Sequence, residues 1–341
     1  MKALCLKEPF KIELIEKPEV ELEKGEVLIK VSSVAICGSD IHAYAGKQAI
    51  FDYPRVIGHE ICGVVRDVCE IEKDFEIEDK VIVMPYANCG TCIACRKGKP
   101  GCCRDLKVMG VHVDGGVAEY IAVPEKYVLK VNANMNIIDA CLVEPFAISA
   151  HAVHNAKVQQ GENVLIIGIG PIGMGAAEIA QTYGATVFVS DVSEARRIFA
   201  KEVLGYEHVL NPLDESYGEE LSRLTNGDMP DTIIDATGNG TSMSNVFQYL
   251  SAGGKVVYVG ISPTPLNINH VEFHKRQTEL YGSRAATQFD FEYVIECIEN
   301  GKIHPKKFAT DVIDFDGNVE SEFKRLMDKK SAMFKGVIRF E

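Results

Sequence analysis

Five of the eleven cysteines of this 341-residue chain fall within fifteen consecutive residues: Cys89, Cys92, Cys95, Cys102 and Cys103. Without Cys102 their spacing is C-x2-C-x2-C-x7-C, and such short loops can fold four thiolates around one metal ion. Four sulfur ligands leave no open coordination position, so the pattern predicts a structural zinc that stabilises a lobe at about residues 86–105. Cys102 in place of Cys103 is the alternative ligand, and an iron–sulfur cluster is the alternative metal group.

A second set of possible metal ligands is spread over more than a hundred residues: Cys37, His59, Glu60 and Glu144. One thiolate, one imidazole and one or two carboxylates leave room for water or substrate, which is typical of a Lewis-acid zinc. Taken singly, Cys37 and His59 are more often core residues, and their combination with a nucleotide site is what favours a catalytic metal. We therefore predict two zinc ions per subunit. Whether Glu60 or Glu144 binds the metal directly stays open.

The apolar run at residues 163–167 leads into a glycine-rich turn, Gly168-Ile169-Gly170-Pro171-Ile172-Gly173. The first two glycines permit a tight turn and let backbone N–H groups approach a pyrophosphate, while the third allows close packing of helix against strand. We expect Gly168, Gly170, Ile172 and Gly173 to contact a dinucleotide. Turns of this form also occur without a ligand, so the pattern needs support from its surroundings.

An acidic residue follows the next predicted strand, residues 186–190. Asp191 stands about twenty residues beyond the turn, where a carboxylate can accept hydrogen bonds from an adenosine ribose and would repel a 2′-phosphate. The pattern therefore favours NAD over NADP as the cofactor, with Arg196 beside the adenosine. The alternative role for Asp191 is that of a helix N-cap.

The periodicity of apolar residues changes near residue 148. Before it, short β-type runs alternate with turns rich in glycine, proline and aspartate, which predicts a mainly β, barrel-like unit. After it, buried-type strands alternate with helical stretches, which predicts a parallel sheet covered on both faces. The predicted strands include 26–31 and 80–83 in the first region, and 163–167, 186–190, 231–234 and 255–259 in the second.

We therefore predict an α/β protein of two domains. Residues 148–284 form a doubly wound Rossmann domain that binds NAD, and residues 1–147 and 285–341 form a mostly β catalytic domain that carries the cysteine lobe. The C-terminal segment is expected to contribute two helices and a last strand that returns to the first domain: 290–300, 319–330 and 335–340.

The composition argues against several classes of protein. An apolar fraction of 46% describes a globular chain with sizeable cores. The 36 basic and 49 acidic residues give a formal net charge of −13, which disfavours nucleic acid and anionic membranes as main partners. The lack of a secretory signal or an eighteen-residue apolar run predicts a cytoplasmic protein. The odd, scattered set of cysteines fits a reducing compartment better than a disulfide framework.

Four features carry a resemblance to a known family: the stretch Gly58-His59-Glu60-Ile61-Cys62-Gly63, the four-cysteine lobe, Glu144 and the turn at Gly168. In this order and spacing they are similar to the zinc-containing medium-chain dehydrogenases, across essentially the whole chain. Glu60 and Glu144 resemble the sorbitol and threonine dehydrogenase branch. The resemblance implies a GroES-like catalytic domain, a Rossmann domain, and a homodimer or homotetramer. Cys69 departs from the family pattern, which usually has glycine or alanine there.

Other stretches resemble bacterial sugar-acid dehydrogenases that act on L-galactonate or L-gulonate at carbon 5: 53–60, 110–116, 144–153 and 272–275. The resemblance implies NAD-dependent oxidation of a secondary alcohol, with the catalytic zinc acting as a Lewis acid on the substrate. By resemblance, Ser39 passes the hydroxyl proton through the nicotinamide ribose to His42, which shuttles it to solvent.

A sugar acid also needs a cationic group to bind its carboxylate. A guanidinium matches carboxylate geometry, so we expect Arg284, after the predicted strand 279–283, to bind the substrate, and His112 to line the site. Arg284 could equally be a salt-bridged residue at a domain interface. A polyol or L-threonine is the competing substrate, and a nucleotide-binding sensor without turnover is the competing class. Related scaffolds without a catalytic zinc lose the Cys/His pair, which this chain retains.

Overall fold

The computed structural model describes residues 1–315, 319–327 and 334–340. The chain divides into two compact units, which share no sheet among the described residues, and each has its own apolar core. The first unit comprises Met1–Glu144 with Thr287–Glu341, and the second comprises Pro145–Ala286.

The described residues form strands and helices in the following chain order. The strands are β1 (Lys2–Glu8), β2 (Lys11–Glu16), β3 (Glu26–Ala35), β4 (Arg55–Val56), β5 (Glu60–Cys69), β6 (Lys80–Val83), β7 (Tyr86–Ala87), β8 (Lys107–Val108), β9 (Tyr120–Pro124), β10 (Val128–Lys130), β11 (Asn163–Ile167), β12 (Thr186–Ser190), β13 (His208–Leu210), β14 (Thr232–Asp235), β15 (Lys255–Tyr258), β16 (Glu279–Gly282), β17 (Ala309–Asp314) and β18 (Lys335–Arg339). The helices are α1 (Gly38–Tyr44), α2 (Ile93–Arg96), α3 (Ile137–Cys141), α4 (Val143–Ala156), α5 (Pro171–Thr182), α6 (Glu194–Ile198), α7 (Tyr217–Leu224), α8 (Gly240–Asn245), α9 (His270–Lys275), α10 (Gln288–Glu299) and α11 (Val319–Leu326).

The main sheet of the first unit has β3 near its centre. The strand order is β10-β6-β5-β3-β18-β17, and β9 also pairs with β3. Buried residues alternate along β3, with Val27, Ile29 and Val31 in the core, as expected for a strand with one buried face. The same core includes Val65 of β5 and Ile338 of β18. The central strand therefore joins N-terminal and C-terminal segments in one core.

The sheet of the second unit is parallel. Its order is β13-β12-β11-β14-β15-β16, and each neighbouring pair runs parallel. Counted from β11, this is the 3-2-1-4-5-6 order of a Rossmann fold. Residues 164–167 of β11 are all buried, as expected for a parallel strand covered on both faces. A mainly β unit and a doubly wound α/β unit confirm the predicted fold class.

The C-terminal segment follows the predicted pattern in the part of the chain that the structure describes. The helix predicted at about 290–300 is α10, and the strand predicted at 335–340 is β18, which pairs with β3. The helix predicted at about 319–330 is α11, and residues 328–330 lie outside the described residues. Within the described ranges, no helix combines the length and the apolar character needed to cross a membrane.

Candidate active site and metal centres

Cys37 lies at the start of α1, directly beyond the end of β3. It is the N-cap residue of the helix, and the Asp40 carboxylate accepts a 2.9 Å hydrogen bond from the Cys37 backbone N–H. The Cys-x-x-Asp spacing thus forms a capping box, in which the N-cap and N3 residues satisfy each other's backbone donors. This capping arrangement fixes the backbone at Cys37, and with it the position from which the thiol side chain extends.

The register of the sheet brings His59 and Glu60 to the same end of β3. β5 is antiparallel to β3, and Glu60 lies opposite Ala35, two residues before Cys37. Gly58 has a φ of +94°, and a Cβ there would lie 2.6 and 2.8 Å from two valine side chains. The turn into β5 therefore requires glycine, and this turn sets the direction of His59.

Cys37, His59 and Glu60 form one compact group of potential metal ligands. Their ligand atoms all lie within 4.8 Å of one another. His59 is 6% exposed, Glu60 is fully buried, and Cys37 is partly exposed. Residues from two strand ends and one helix N-terminus thus meet at a single point in the first unit.

The unsatisfied polar atoms of this group fit a bound cation. Glu60 Oε2 and His59 Nδ1 are buried and have no hydrogen-bond partner among the described residues. A buried carboxylate oxygen without a partner is costly, and a bound cation stabilises it. A thiolate, an imidazole and a carboxylate are also ligand types that zinc accepts in catalytic sites.

Acidic groups dominate the surroundings of His59. Burial alone would lower the pKa of His59, but the nearby Cys37 and Asp40 raise it well above its ordinary value. Asp40 Oδ1 lies 3.9 Å from His59 Nδ1, and burial raises the pKa of the Asp40 carboxyl. The local field therefore favours a positive charge at the ligand group.

Glu144 interacts with this group but is held by a different partner. It lies in the first turn of α4 and is 5% exposed, and its Oε1 atom accepts a hydrogen bond from the Tyr86 hydroxyl. Burial raises the pKa of Glu144 to about 7 and raises that of Tyr86 well above its usual value. Among the described residues, the structure places Glu60, and not Glu144, in the compact group with Cys37 and His59.

The cysteine lobe forms a second ligand group, which comprises Cys89, Cys92, Cys95 and Cys103. Their sulfur atoms lie within 4.8 Å of one another, and four sulfurs bound to one zinc at about 2.3 Å would be about 3.8 Å apart. Cys102 is exposed and lies outside the group. In residues 86–105, all of which are described, Cys92 and Cys103 are the buried apolar side chains. The sulfur cluster therefore takes the place of an apolar core.

Backbone N–H groups point at these sulfurs. The Cys92 N–H donates to Cys89 Sγ at 3.3 Å, and the N–H groups of Cys89 and Asp105 donate to Cys103 Sγ at 3.3 and 3.4 Å. Backbone hydrogen bonds lower the pKa of Cys89 and lower that of Cys92 to about 6. These hydrogen bonds favour the thiolate form of Cys89 and Cys92, which is the form that binds zinc.

The glycine turn of the second unit depends on missing side chains. Gly168 follows β11 with a φ of +84°, and a Cβ there would lie 2.7 Å from Thr237 Cγ2. Gly170 is the N-cap of α5, and Pro171 is in its first turn, where its missing N–H breaks no helical bond. A Cβ on Gly173 would lie 2.0 Å from the Gly168 carbonyl oxygen. The turn therefore has the tight form that brings a helix N-terminus close to a strand end.

Asp191 lies directly after β12 and stabilises this turn. It is 5% exposed, its Oδ2 accepts a 2.9 Å hydrogen bond from the Ile169 N–H, and its Oδ1 accepts one of 2.7 Å from the Ser193 N–H. Arg196 Nη1 lies 3.3 Å from Asp191 Oδ2. The N-cap of α6 is Ser193, so the alternative role of Asp191 as a helix N-cap is wrong.

The other predicted site residues lie in different surroundings. Ser39 Oγ is buried without a hydrogen-bond partner among the described residues, whereas His42 is exposed in the last turn of α1. His112 Nδ1 accepts a 3.0 Å hydrogen bond from the Val108 N–H, so the neutral ring carries its proton on Nε2. Arg284 is exposed and follows β16 in the second unit.

Comparisons with known proteins identify the family. The family model of the alcohol dehydrogenase GroES-like domain matches residues 23–133, and that of the zinc-binding dehydrogenases matches residues 171–300. The L-galactonate-5-dehydrogenase of Escherichia coli strain K12 is 42% identical over 316 residues, which cover 93% of this chain and 92% of that protein. The chain belongs to the zinc-containing medium-chain dehydrogenases.

Two further proteins are similar to this dehydrogenase over most of its length. The 2-dehydro-3-deoxy-L-galactonate 5-dehydrogenase of Pseudoalteromonas atlantica is 33% identical and covers 88% of this chain and 87% of its own length. The crystal structure of the Escherichia coli CFT073 alcohol dehydrogenase RspB, complexed with NADH, is 31% identical, has a TM-score of 0.93, and covers 100% of this chain and 99% of its own. The prediction of a GroES-like unit, a Rossmann unit and an oxidoreductase is confirmed.

Sequence reasoning does not identify three residues that contact the predicted metal ligands Cys37, Glu60 and Glu144 of this dehydrogenase. Asp40 could have been found, because Cys-x-x-Asp at a helix start is a capping-box spacing. Tyr86 contacts Glu144 across 58 positions of sequence, and Lys335 contacts Glu60 across 275 positions. Contacts of that separation leave no local signal in a single sequence.

The close packing at the glycine turn gives a first prediction for this dehydrogenase. Gly173→Ala should lower the free energy of unfolding by about 1–3 kcal/mol, because the new methyl group overlaps the Gly168 carbonyl and the helix must shift. Urea unfolding measures this change. The control Gly282→Ala, where no atom lies within 4 Å of the added Cβ, should change it by no more than about 0.5 kcal/mol. If Gly173→Ala were as stable as the wild type, the close packing of Gly173 against the Gly168 carbonyl would be contradicted.

Proposed function

We propose that this dehydrogenase oxidises a secondary alcohol of a small sugar acid, L-galactonate or L-gulonate at carbon 5, and transfers the hydride to NAD. The observation that carries the proposal is the compact group of Cys37, His59 and Glu60 with its unpartnered buried oxygen. The 42% identity to an L-galactonate-5-dehydrogenase supports the choice of substrate.

The proposed catalytic zinc would be held by Cys37, His59 and Glu60, with Glu144 nearby as a second carboxylate. When bound, such a zinc supplies Lewis acidity that stabilises negative charge on the reacting oxygen. Asp40 orients the ligands, because its carboxylate caps the Cys37 backbone and faces His59. Tyr86 orients Glu144 through the hydrogen bond from its hydroxyl group.

We propose that Ser39 and His42 move the proton that the alcohol releases. The two residues are three positions apart on α1, so their side chains lie on the same face of the helix. Ser39 Oγ is buried without a partner among the described residues, which leaves it available to accept and pass on a proton. His42 is exposed, and an imidazole can accept a proton and release it to water.

We propose NAD as the cofactor, with the second unit as its binding site. Gly168, Gly170, Ile172 and Gly173 would border the pyrophosphate at the N-terminus of α5. The buried carboxylate of Asp191 would accept hydrogen bonds from the ribose hydroxyls and repel a 2′-phosphate. The RspB structure, which contains NADH, supports this choice.

The sugar-acid proposal assigns two further residues to substrate recognition. His112 presents a fixed Nε2 donor in its neutral form, because its Nδ1 accepts from the backbone. A donor of fixed direction suits a sugar hydroxyl or a carboxylate oxygen. Arg284 has the planar guanidinium that binds a carboxylate through two hydrogen bonds.

A substrate panel tests the proposed function. We expect L-galactonate or L-gulonate with NAD to be turned over faster than sorbitol or L-threonine, and NADP to be used poorly, as followed by nicotinamide absorbance. Elemental analysis should find about two zinc ions per chain. Turnover of L-threonine far above that of both aldonates would contradict the substrate assignment. A protein that binds NAD but turns over no alcohol would support a nucleotide-binding sensor instead.

A further inference from the structure

A buried ion pair joins Glu60 to the last strand of the first unit. Lys335 Nζ lies 2.6 Å from Glu60 Oε1, and the two side chains are 4% and 1% exposed. By comparison, the Lys255–Glu162 pair of the second unit has a distance of 3.0 Å and side chains that are 15% and 19% exposed. A lysine is rarely buried this deeply unless its charge is paired.

The sheet register explains how two residues 275 positions apart come to meet. β18 is antiparallel to β3, with Val337 opposite Ala35, and the same register continued by two residues sets Lys335 opposite Cys37. On the other side of β3, Glu60 lies opposite Ala35. Lys335 and Glu60 therefore approach the end of the central strand from its two neighbours.

The two carboxylate oxygens of Glu60 have different surroundings. Oε1 is paired with Lys335, whereas Oε2 is buried and has no partner among the described residues. Glu60 also has an oxygen within 4.8 Å of the ligand atoms of Cys37 and His59. One oxygen is thus held by the protein, and the other is left for a cation.

The positive charge of Lys335 acts on more than one of the predicted metal ligands. The ammonium group of Lys335 interacts electrostatically with Cys37, Glu60 and Glu144. A thiolate and carboxylates at these positions would concentrate negative charge, and the buried Asp40 carboxyl lies beside them. Together with a bound divalent cation, the charge of Lys335 would offset part of this negative charge.

We propose that Lys335 is a positioning residue of the metal site, which holds Glu60 so that this carboxylate binds the metal through one oxygen. This inference rests on the proposed function, because it requires a metal at Cys37, His59 and Glu60. The competing explanation is a purely structural ion pair that joins β18 to β5 across β3. The unpartnered Oε2 atom favours positioning, since a purely structural pair would leave that oxygen buried and unsatisfied.

Cadmium NMR of the cadmium-loaded protein tests the inference, because a four-thiolate site and a one-thiolate site give separate signals. Lys335→Met should displace the one-thiolate signal and leave the four-thiolate signal of the cysteine lobe in place. The affinity of the one-thiolate site for the metal should fall by about 10- to 100-fold, as is typical when a residue that orients a metal ligand is removed. If Lys335→Met does not fold, Lys335→Gln replaces it with the same expectation.

Two matched variants complete the experiment. Lys335→Arg keeps a positive donor and should recover most of the lost affinity, with a signal close to that of the wild type. Lys255→Met removes an ion pair that belongs to the second unit and should leave both cadmium signals unchanged.

The possible outcomes separate this inference from the proposed function. A one-thiolate signal that moves in Lys335→Met and returns in Lys335→Arg supports the positioning role. A one-thiolate signal that is present in the wild type and identical in Lys335→Met overturns this inference alone. A wild-type protein that shows the four-thiolate signal without a one-thiolate signal overturns both the inference and the proposed catalytic metal.

Discussion

Replacing Cys37 with alanine is expected to lower turnover of the alcohol substrate by on the order of a thousandfold. The metal would lose the thiolate of its compact ligand group, and with it several kcal/mol of stabilisation of the charge that develops in the reaction. Steady-state rates followed by nicotinamide absorbance measure the loss. Binding of NAD, measured by calorimetry, should stay close to that of the wild type, because the glycine turn belongs to the second unit.

Cys69→Ala is the matched control for this change. Cys69 is also a partly exposed free cysteine of the first unit, at the end of β5, and it lies outside both described ligand groups. Its replacement should leave turnover near the wild-type rate. If Cys37→Ala and Cys69→Ala were equally active, Cys37 would have no part in the reaction.

The second large effect is expected in the cysteine lobe. Cys103→Ser should remove about one equivalent of zinc per chain and destabilise the lobe by several kcal/mol, because metal binding supplies its folding free energy. The structure supports this expectation, since the buried apolar side chains of residues 86–105 are two of the ligand cysteines themselves. Zinc analysis and limited proteolysis within the lobe measure the two changes.

The neighbouring cysteine offers a control one position away. Cys102 is exposed and lies outside the sulfur group, so Cys102→Ser should keep the zinc content and the protease resistance of the wild type. Loss of zinc in Cys102→Ser with retention in Cys103→Ser would reverse the assignment of the fourth ligand.

Local patterns predicted the parts of this protein that depend on neighbours in sequence. The spacing of the cysteines restricts four sulfurs to one small loop, and the glycine turn after β11 needs two residues without a Cβ, Gly168 and Gly173. The change from short β runs to continuous apolar strands predicted the two kinds of sheet. In each case a short stretch of chain contains the physical constraint, so its residues can be recognised without the rest of the molecule.

Tertiary structure decided what depends on contacts between distant segments. The sequence allowed either Cys102 or Cys103 in the lobe and either Glu60 or Glu144 beside Cys37 and His59, and the fold groups Cys103 and Glu60 with the other potential ligands. Lys335 reaches Glu60 because β5 and β18 both pair with β3. The residue types alone show that potential ligands, glycines and charged groups are present. Strand register determines which of them meet, because it sets the distance between residues far apart in the chain.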